Sequence, residues 1–374
     1  IQNKGEKLMK KNLLNALLVG VSALTLASCG GEGGKEEKTY EIAVVTDVGQ
    51  LMDGGFNQGT YEGAKEFAEA NGKTYKYYQP ANGSDATDAD RVAAMNQAIE
   101  GGAKVIVTPG FLQQAAIAEV APKNPDVKFV FVDGWNFGEA NVTAISYKEQ
   151  ESGYFAGYAA VKDGYTKLGG TFGGGGTNAA CNRFAYGYVQ GAKAAAEEVA
   201  TEVEVKISFQ YGASFSASAE LQTQITGWYQ KGTEVVFSCG GSMLQSVKAA
   251  AEAENGKIIG VDVDQAGQSD KVITSAVKGL APSVKKVLGE FYAGKWDAEL
   301  SDKTSNLGAT DDATGLPTAE GSWRFSKFTV AEYQALFAKV VDGTVTIFGN
   351  TPDNVNEATF WTDLSAGKTT VSFE

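Results

Sequence analysis

The chain is predicted to be an α/β protein with two doubly wound parallel-sheet lobes joined by a hinge. Three observations predict this. Short β-rich apolar runs alternate with Ala-rich amphipathic stretches from Tyr40 onward, and the whole series restarts near residue 150. The part from about Thr39 also has the natural size of two domains of ~150 residues each.

Glu41-Ile42-Ala43-Val44-Val45 is the first strand, and Tyr61 to Ala70 is a helix with Ala64, Phe67 and Ala68 on one face. Thr74–Gln79 is a second strand, Asp88–Glu100 a helix, Val105–Val107 a third strand, Gln113–Val120 a helix and Val127–Val132 a fourth strand. Val142–Ser146 supplies a fifth strand and completes one sheet. After the small-residue helix Gly153–Val161 the pattern returns. Strands are expected at Lys167–Phe172, Val203–Tyr211, Val235–Phe237 and Ile258–Val261, and helices at Phe184–Val199, Ala217–Lys231 and Leu244–Ala253. The tail from Ile273 is less regular, with helices at Pro282–Tyr292 and Val330–Val340 around a loop from Asp302 to Ser322. The expected division is residues 40–147 plus about 272–298 in the first lobe, and 148–271 plus about 299–374 in the second.

The amino-terminal residues are built differently. Lys7, Lys10 and Lys11 precede an apolar run from Leu13 to Leu26, which ends in Leu26-Ala27-Ser28-Cys29. That order is a secretory signal with a lipobox, residues 1–28, of which residues 1–8 read as an extension upstream of Met9. Cys29 is the expected lipidation site, and the run is shorter than the ~20 apolar residues that span hydrocarbon. Residues 29–39 are rich in Gly, Glu and Lys with almost nothing to bury, and read as a tether. The expected location is therefore the extracytoplasmic face of the cell membrane, held by lipid only.

Composition excludes several functions. With 45 acidic against 32 basic residues the net charge is −13, which opposes binding to nucleic acid polymers. Histidine is absent, so His-based triads and His-ligated zinc are excluded. Cys181 and Cys239 are too few for a structural zinc site, and are either one disulfide or two buried thiols.

Candidate binding residues cluster where strands end, because ligands of such sheets bind beyond the carboxyl ends of the strands. The first strand is followed by Asp47, and then by Asp53-Gly54-Gly55-Phe56-Asn57, where Phe56 can stack on a planar group while Asn57 or Asp47 bonds its edge. Phe56 as a hydrophobic staple and Asn57 as a helix cap is the alternative. The loop carries no Lys and no phosphate-loop signature, so a neutral ligand is favoured over a nucleotide. Gly173–Gly176 lacks the context of a dinucleotide fingerprint and reads as a flexible loop. Asp133 and Asp262 also follow strands, and with Asp47 they are expected to converge on one cleft, where carboxylates suit a vicinal diol or a ring N–H.

Together these segments resemble the basic membrane protein family of bacterial lipoproteins, the purine-nucleoside-receptor-like substrate-binding proteins of ABC importers. The resemblance runs from about residue 40 to 295 on Thr46-Asp47-Val48-Gly49, Asp53-Gly54-Gly55-Phe56-Asn57, Phe129–Asp133, Phe155-Ala156-Gly157, Gly240-Gly241 and Gly260-Val261-Asp262-Val263-Asp264-Gln265. It implies a type I periplasmic-binding-protein-like fold, a non-enzymatic role without cofactor or metal, and partnership with an ABC permease and ATPase. It also implies that Phe56 and Phe237 cover the two faces of a nucleoside base, with purine favoured. Asp47, Asn57 and Asp133 would bond the base edge, while Gly240, Asp262 and Lys278 would hold the ribose. The chain departs from the family pattern at Ser242-Met243-Leu244, where Thr-Gly is usual, and at Cys181 and Cys239. Rival readings are the same fold with a sugar, autoinducer or other small polar ligand, a sensory or adhesive lipoprotein without a permease, and a surface nucleoside hydrolase. The hydrolase would need a D-x-D-x-x-x-D-D cluster that Asp47 and Asp53 do not reproduce.

Overall fold

The structure, a computed structural model, describes residues 39–48 and 50–374. The expected export signal, Cys29 and the tether up to residue 38 lie outside the described residues. Among the described residues no helix is long and apolar enough to cross a membrane.

The first sheet is built from β1 (Ile42–Val45), β2 (Tyr75–Tyr78), β3 (Val105–Pro109), β4 (Lys128–Val132) and β5 (Val142–Tyr147), all parallel. They are linked by α1 (Phe56–Ala70), α2 (Asp88–Glu100) and α3 (Gln114–Val120). Strands covered on both faces read as continuous apolar runs, and β1 is buried at every position. Successive side chains point to opposite faces. Ile42 and Val44 accordingly pack with Ala64 and Ala68 of α1, and Ala43 and Val45 pack with Met95 of α2 and Ile117 of α3.

The chain then crosses into α4 (Glu149–Asp163) and repeats the plan. The second set is β6 (Lys167–Phe172), α5 (Ala179–Val199), β7 (Val203–Ser208), α6 (Ala219–Gln230), β8 (Val235–Cys239), α7 (Met243–Glu254), β9 (Lys257–Asp262) and β10 (Val272–Lys278). The remainder is α8 (Leu280–Tyr292), β11 (Thr304–Leu307), β12 (Thr314–Gly315), α9 (Val330–Val341), α10 (Ala358–Thr362) and β13 (Thr369–Phe373). The first sheet runs β11-β5-β4-β3-β1-β2 and the second β12-β10-β9-β8-β6-β7-β13, with the short β12 antiparallel. Both have the doubly wound order whose switch point lies beside the first strand of each lobe.

Two boundaries differ from the sequence reading. Val272–Lys278 was expected to return to the first lobe, but it is a parallel neighbour of β9 in the second sheet. Its central Thr274 and Ser275 look like loop residues, yet both are fully buried, and Ser275 Oγ accepts the Gln265 N–H at 3.0 Å. The return begins with α8, whose Leu280, Val284 and Leu288 join the core around β1. Thr304–Leu307 was expected in a second-lobe loop, but it pairs with β5 in the first sheet.

Three chain segments thus connect the lobes: 147–149, 278–280 and 307–314. They lie side by side, since Lys148 N donates to Leu307 O at 2.8 Å and Gly279 N to Ala313 O at 2.8 Å. In the second lobe α4 lies directly on α5. A Cβ on Gly187 or Gly191 would collide with the Gln150 or Tyr154 carbonyl, and one on Gly153 or Gly157 with the Phe184 or Tyr188 carbonyl.

Candidate functional site

A cavity of about 420 Å³ lies between the lobes at the carboxyl ends of both sets of strands, within the range of small-molecule sites. The lobes touch across its mouth, where Gln265 Nε2 donates to Gly54 O at 2.9 Å and Ser216 Oγ lies 3.3 Å from Ser84 Oγ.

On the first-lobe side, the Asp53 carboxylate accepts the N–H groups of Gly55, Asn57 and Gln58 at 2.8, 3.0 and 3.1 Å. These are orphan donors of the first helical turn, so Asp53 caps α1 and lets it begin at Phe56, five residues before the expected start. Asn57 is therefore not the cap. Its Nδ2 reaches Asp53 at 3.3 Å and Asp47 at 3.4 Å, while its buried Oδ1 has no hydrogen-bond partner among the described residues. Burial pushes the Asp53 carboxyl up to about 6, against the pull of its backbone N–H partners. Phe56 and Asp47 line the cavity beside Asn57. Gly110, at φ +99°, is required opposite Asp47, because a Cβ there would collide with the carboxylate.

Lys278 is the electrostatic centre. It ends β10, only 3% of its side chain is exposed, and its Nζ lies 2.6 Å from Asp133, 3.4 Å from Asp262 and 3.7 Å from Glu149. Burial opposes its charge, but the three carboxylates outweigh this and hold the ammonium protonated well above the usual lysine range. Burial also raises Asp133, to about 6, and Asp262, with Lys278 pulling both down. Arg183 Nε donates to the other Glu149 oxygen at 2.6 Å. Asp133 Oδ1 is buried without a hydrogen-bond partner among the described residues. Buried acceptors are almost always satisfied, and Asn57 and Asp133, which carry these two oxygens, both line the cavity.

Asp47, Phe56, Asn57, Asp133, Gly240, Asp262 and Lys278 all line this one cavity. Phe237 does not. It is fully buried in the second-lobe core, with its ring 5.3 Å from Phe172, 5.8 Å from Phe184 and 5.3 Å from Tyr188. The strand runs two residues further than expected, to Cys239, so Phe237 faces α5 instead of the strand end. The second-lobe aromatics that reach the cavity are Phe184 and Phe215. Lys278 Nζ lies 4.8 Å from the Phe56 ring centre and 5.5 Å from that of Phe184, so rings from both lobes flank one ammonium.

Sequence reasoning missed Phe111, Phe184, Phe215, Cys181 and Cys239 as lining residues. Phe111 follows β3, so the strand-end rule could have found it; Phe184 looked like an ordinary core position of a helix. Phe215 has φ +58°, an outlier for a bulky residue, and no local signal announces it. Its ring explains the glycine run read as a flexible loop. A Cβ on Gly173 would collide with that ring and one on Gly176 with Asn356, so these glycines are packing sites.

A cavity walled by two parallel-sheet lobes at their facing strand ends is the construction of a type I periplasmic-binding-protein-like fold. The chain belongs to the family described as ABC transporter substrate-binding protein PnrA-like, whose profile matches residues 40–341. These are binding proteins and not enzymes, and their partners are a solute and a permease. The chain is 31% identical over 317 residues to the "ABC transporter nucleoside-binding protein BmpA" of Lactococcus lactis, covering 77% of this chain and 87% of that one. It is 28% identical over 309 residues to basic membrane protein A of Borreliella burgdorferi, covering 80% and 86%. In fold it resembles an ABC transporter solute-binding protein from Aeropyrum pernix, with a TM-score of 0.68 at 21% identity over 84% of this chain and 94% of that one. An arabinose-binding protein from Geobacillus stearothermophilus superposes with a TM-score of 0.57 at 13% identity, over 77% and 99%.

Proposed function

We propose that the cleft captures a nucleoside, with purine favoured, and that the protein hands it to its permease from the outer face of the membrane, held by lipid on Cys29. The observation that carries the ligand assignment is the pairing of an aromatic ring in the cavity wall with acceptors that lack a partner among the described residues. Phe56 lines the cavity beside Asn57 Oδ1 and Asp133 Oδ1. A flat base stacks on the ring and presents N–H donors to such oxygens, and a vicinal diol suits the carboxylates near Lys278. Phe184 takes over the role expected of Phe237 on the opposite wall. The nucleoside-binding relative from Lactococcus lactis supports the same ligand class. A cleft lined by Asp47, Asp53, Asp133 and Asp262, with Lys278 as the one lining cation among the described residues, repels a phosphate, which favours a nucleoside over a nucleotide.

Both lobes supply lining residues, so ligand bridges them and shifts the population toward the closed arrangement that a permease recognises. Aromatic stacking plus several charge-assisted bonds in a dry cleft is compatible with submicromolar affinity, about −8 kcal/mol or better. Isothermal titration calorimetry with adenosine, guanosine, inosine and cytidine, beside ribose and galactose, tests the reading. Nucleosides are expected to bind and free sugars not. Binding of a free sugar with no response to any nucleoside would overturn it. For the anchor, Cys29→Ser is expected to move the protein from the membrane to the soluble fraction.

A further inference from the structure

The cavity wall on the second-lobe side contains a pair of thiols that solute binding does not require. Cys181 Sγ and Cys239 Sγ lie 3.9 Å apart, from residues 58 positions apart in sequence. Cys181 is in the first turn of α5, where its N–H donates to Asn178 Oδ1 at 2.8 Å. Cys239 ends β8, directly before Gly240. The two sulfurs are in van der Waals contact, and closing to the ~2.05 Å of a disulfide requires a movement of about 2 Å. Cys239 is 1% and Cys181 7% exposed, yet both line the cavity, so the route to them runs through the cleft.

We propose that Cys181 and Cys239 form a reversible disulfide in the cleft wall by exchange with a low-molecular-weight disulfide, and that a bound solute blocks this exchange. Cys181, the more exposed, attacks first as its thiolate. Its sulfur bonds to one sulfur of the small disulfide, whose S–S bond breaks, and the departing thiolate takes up a proton. Burial and the neighbouring Cys181 push the Cys239 thiol up, which disfavours it as the first nucleophile; it acts in the second step, where its sulfur is already in contact with that of Cys181 and the attack is intramolecular. Cys239 loses its proton to solvent, and its sulfur displaces the second small thiolate, which is protonated in turn. Two protein thiols are oxidised to one disulfide, and the small disulfide is reduced to two thiols.

The cross-link acts on binding through its neighbours. Phe184 lies three residues after Cys181 on the same helix face, and Gly240 adjoins Cys239. Both line the cavity, so drawing the start of α5 toward the end of β8 displaces part of the wall. Exchange and binding are then mutually exclusive or weakened in both directions, as linkage requires. The solute identity rests on the nucleoside reading; the thiol chemistry does not.

The test uses the full chain with Cys29→Ser, so that these are its only two cysteines, treated with excess oxidised glutathione at neutral pH. Peptide mapping is expected to find Cys181 joined to Cys239 in most molecules, reversed by dithiothreitol. Cys239→Ser is expected to stop at a single glutathione adduct on Cys181. A saturating nucleoside shown by calorimetry to bind the reduced protein is expected to slow cross-linking at least tenfold, and the oxidised protein to bind that nucleoside at least fivefold more weakly. Two separate glutathione adducts without a cross-link, no reaction under excess reagent, or a cross-link indifferent to bound nucleoside would each overturn the proposal. If no nucleoside binds the reduced protein, the ligand assignment fails while cross-link formation is still decided by the peptide map.

Discussion

Asp133, directly after β4, and Asp262, the last residue of β9, lie at the carboxyl ends of corresponding strands in the two lobes, and their carboxylates meet on the same Lys278 ammonium at 2.6 and 3.4 Å. Both have left-handed backbone, φ +57° and +67°, a conformation non-glycine residues seldom adopt. Left-handed backbone at both strand ends turns the two aspartates toward the same ammonium.

Replacing the central cation tests how much the cluster contributes to folding. Lys278→Met leaves Asp133, Asp262 and Glu149 buried together without their shared cation. A loss of about 3–5 kcal/mol is expected, as for other buried pairs broken from one side. Urea denaturation at neutral pH measures it, and a loss below ~1 kcal/mol would show the carboxylates to be solvated or protonated instead.

The two phenylalanines first paired by sequence are expected to behave oppositely. Phe56→Ala removes a half-buried cavity wall and should weaken nucleoside binding roughly 5- to 150-fold, from 1–3 kcal/mol of stacking, with little change in stability. Phe237→Ala opens a hole in the second-lobe core and should cost about 3–5 kcal/mol of stability. Calorimetry and denaturant melts on both variants separate the effects.

The carboxyl of Asp53 links stability to pH. Its folded value of about 6 lies above the ordinary 3.8, so its contribution is complete below 3.8 and is lost as pH rises through 6. Relative to Asp53→Asn, the wild type should gain roughly 1 kcal/mol between pH 7 and pH 5. Parallel pH profiles of the two proteins in urea would show that the carboxyl titrates normally.

Gln265→Glu keeps the oxygen that accepts the Val261 N–H at 2.9 Å but removes the donor to Gly54 O across the cleft mouth. Closure should weaken, lowering solute affinity about three- to tenfold, from about one hydrogen bond, through faster dissociation. Stopped-flow release of bound nucleoside reads this, and an unchanged rate would remove the contact from any part in closure.

Much of this was legible in the sequence because strand ends in parallel sheets are punctuated. Asp47, Asp133 and Asp262 each come at the end of an apolar run, with Gly49, Gly134 or Asp264 within the next two residues, so their convergence could be inferred without coordinates. Phe237 was misplaced because Ser238 looked like the end of its strand, although Ser238 and Cys239 are both buried. Lys278 was carried only by family resemblance. Locally it resembles a solvated helix start, and its partnership with Asp133 spans 145 positions, beyond any local pattern. Phe184 shows the remaining difficulty, since helical periodicity marks an apolar face without saying whether a core or a cavity lies against it.

The interleaved path of the chain bears on how the molecule is made. In the first sheet β5 is without its outer neighbour until Thr304–Leu307 arrives, and in the second β7 waits for Thr369–Phe373. A polypeptide made amino end first therefore holds two open sheet edges until late in its synthesis, each a template for mispairing. The first sheet is completed only after most of the second has been made, and the second only by the last strand, so maturation of both is settled late. Fragments ending before residue 300 should emerge as substrates for chaperones and proteases, and not as half-sized receptors.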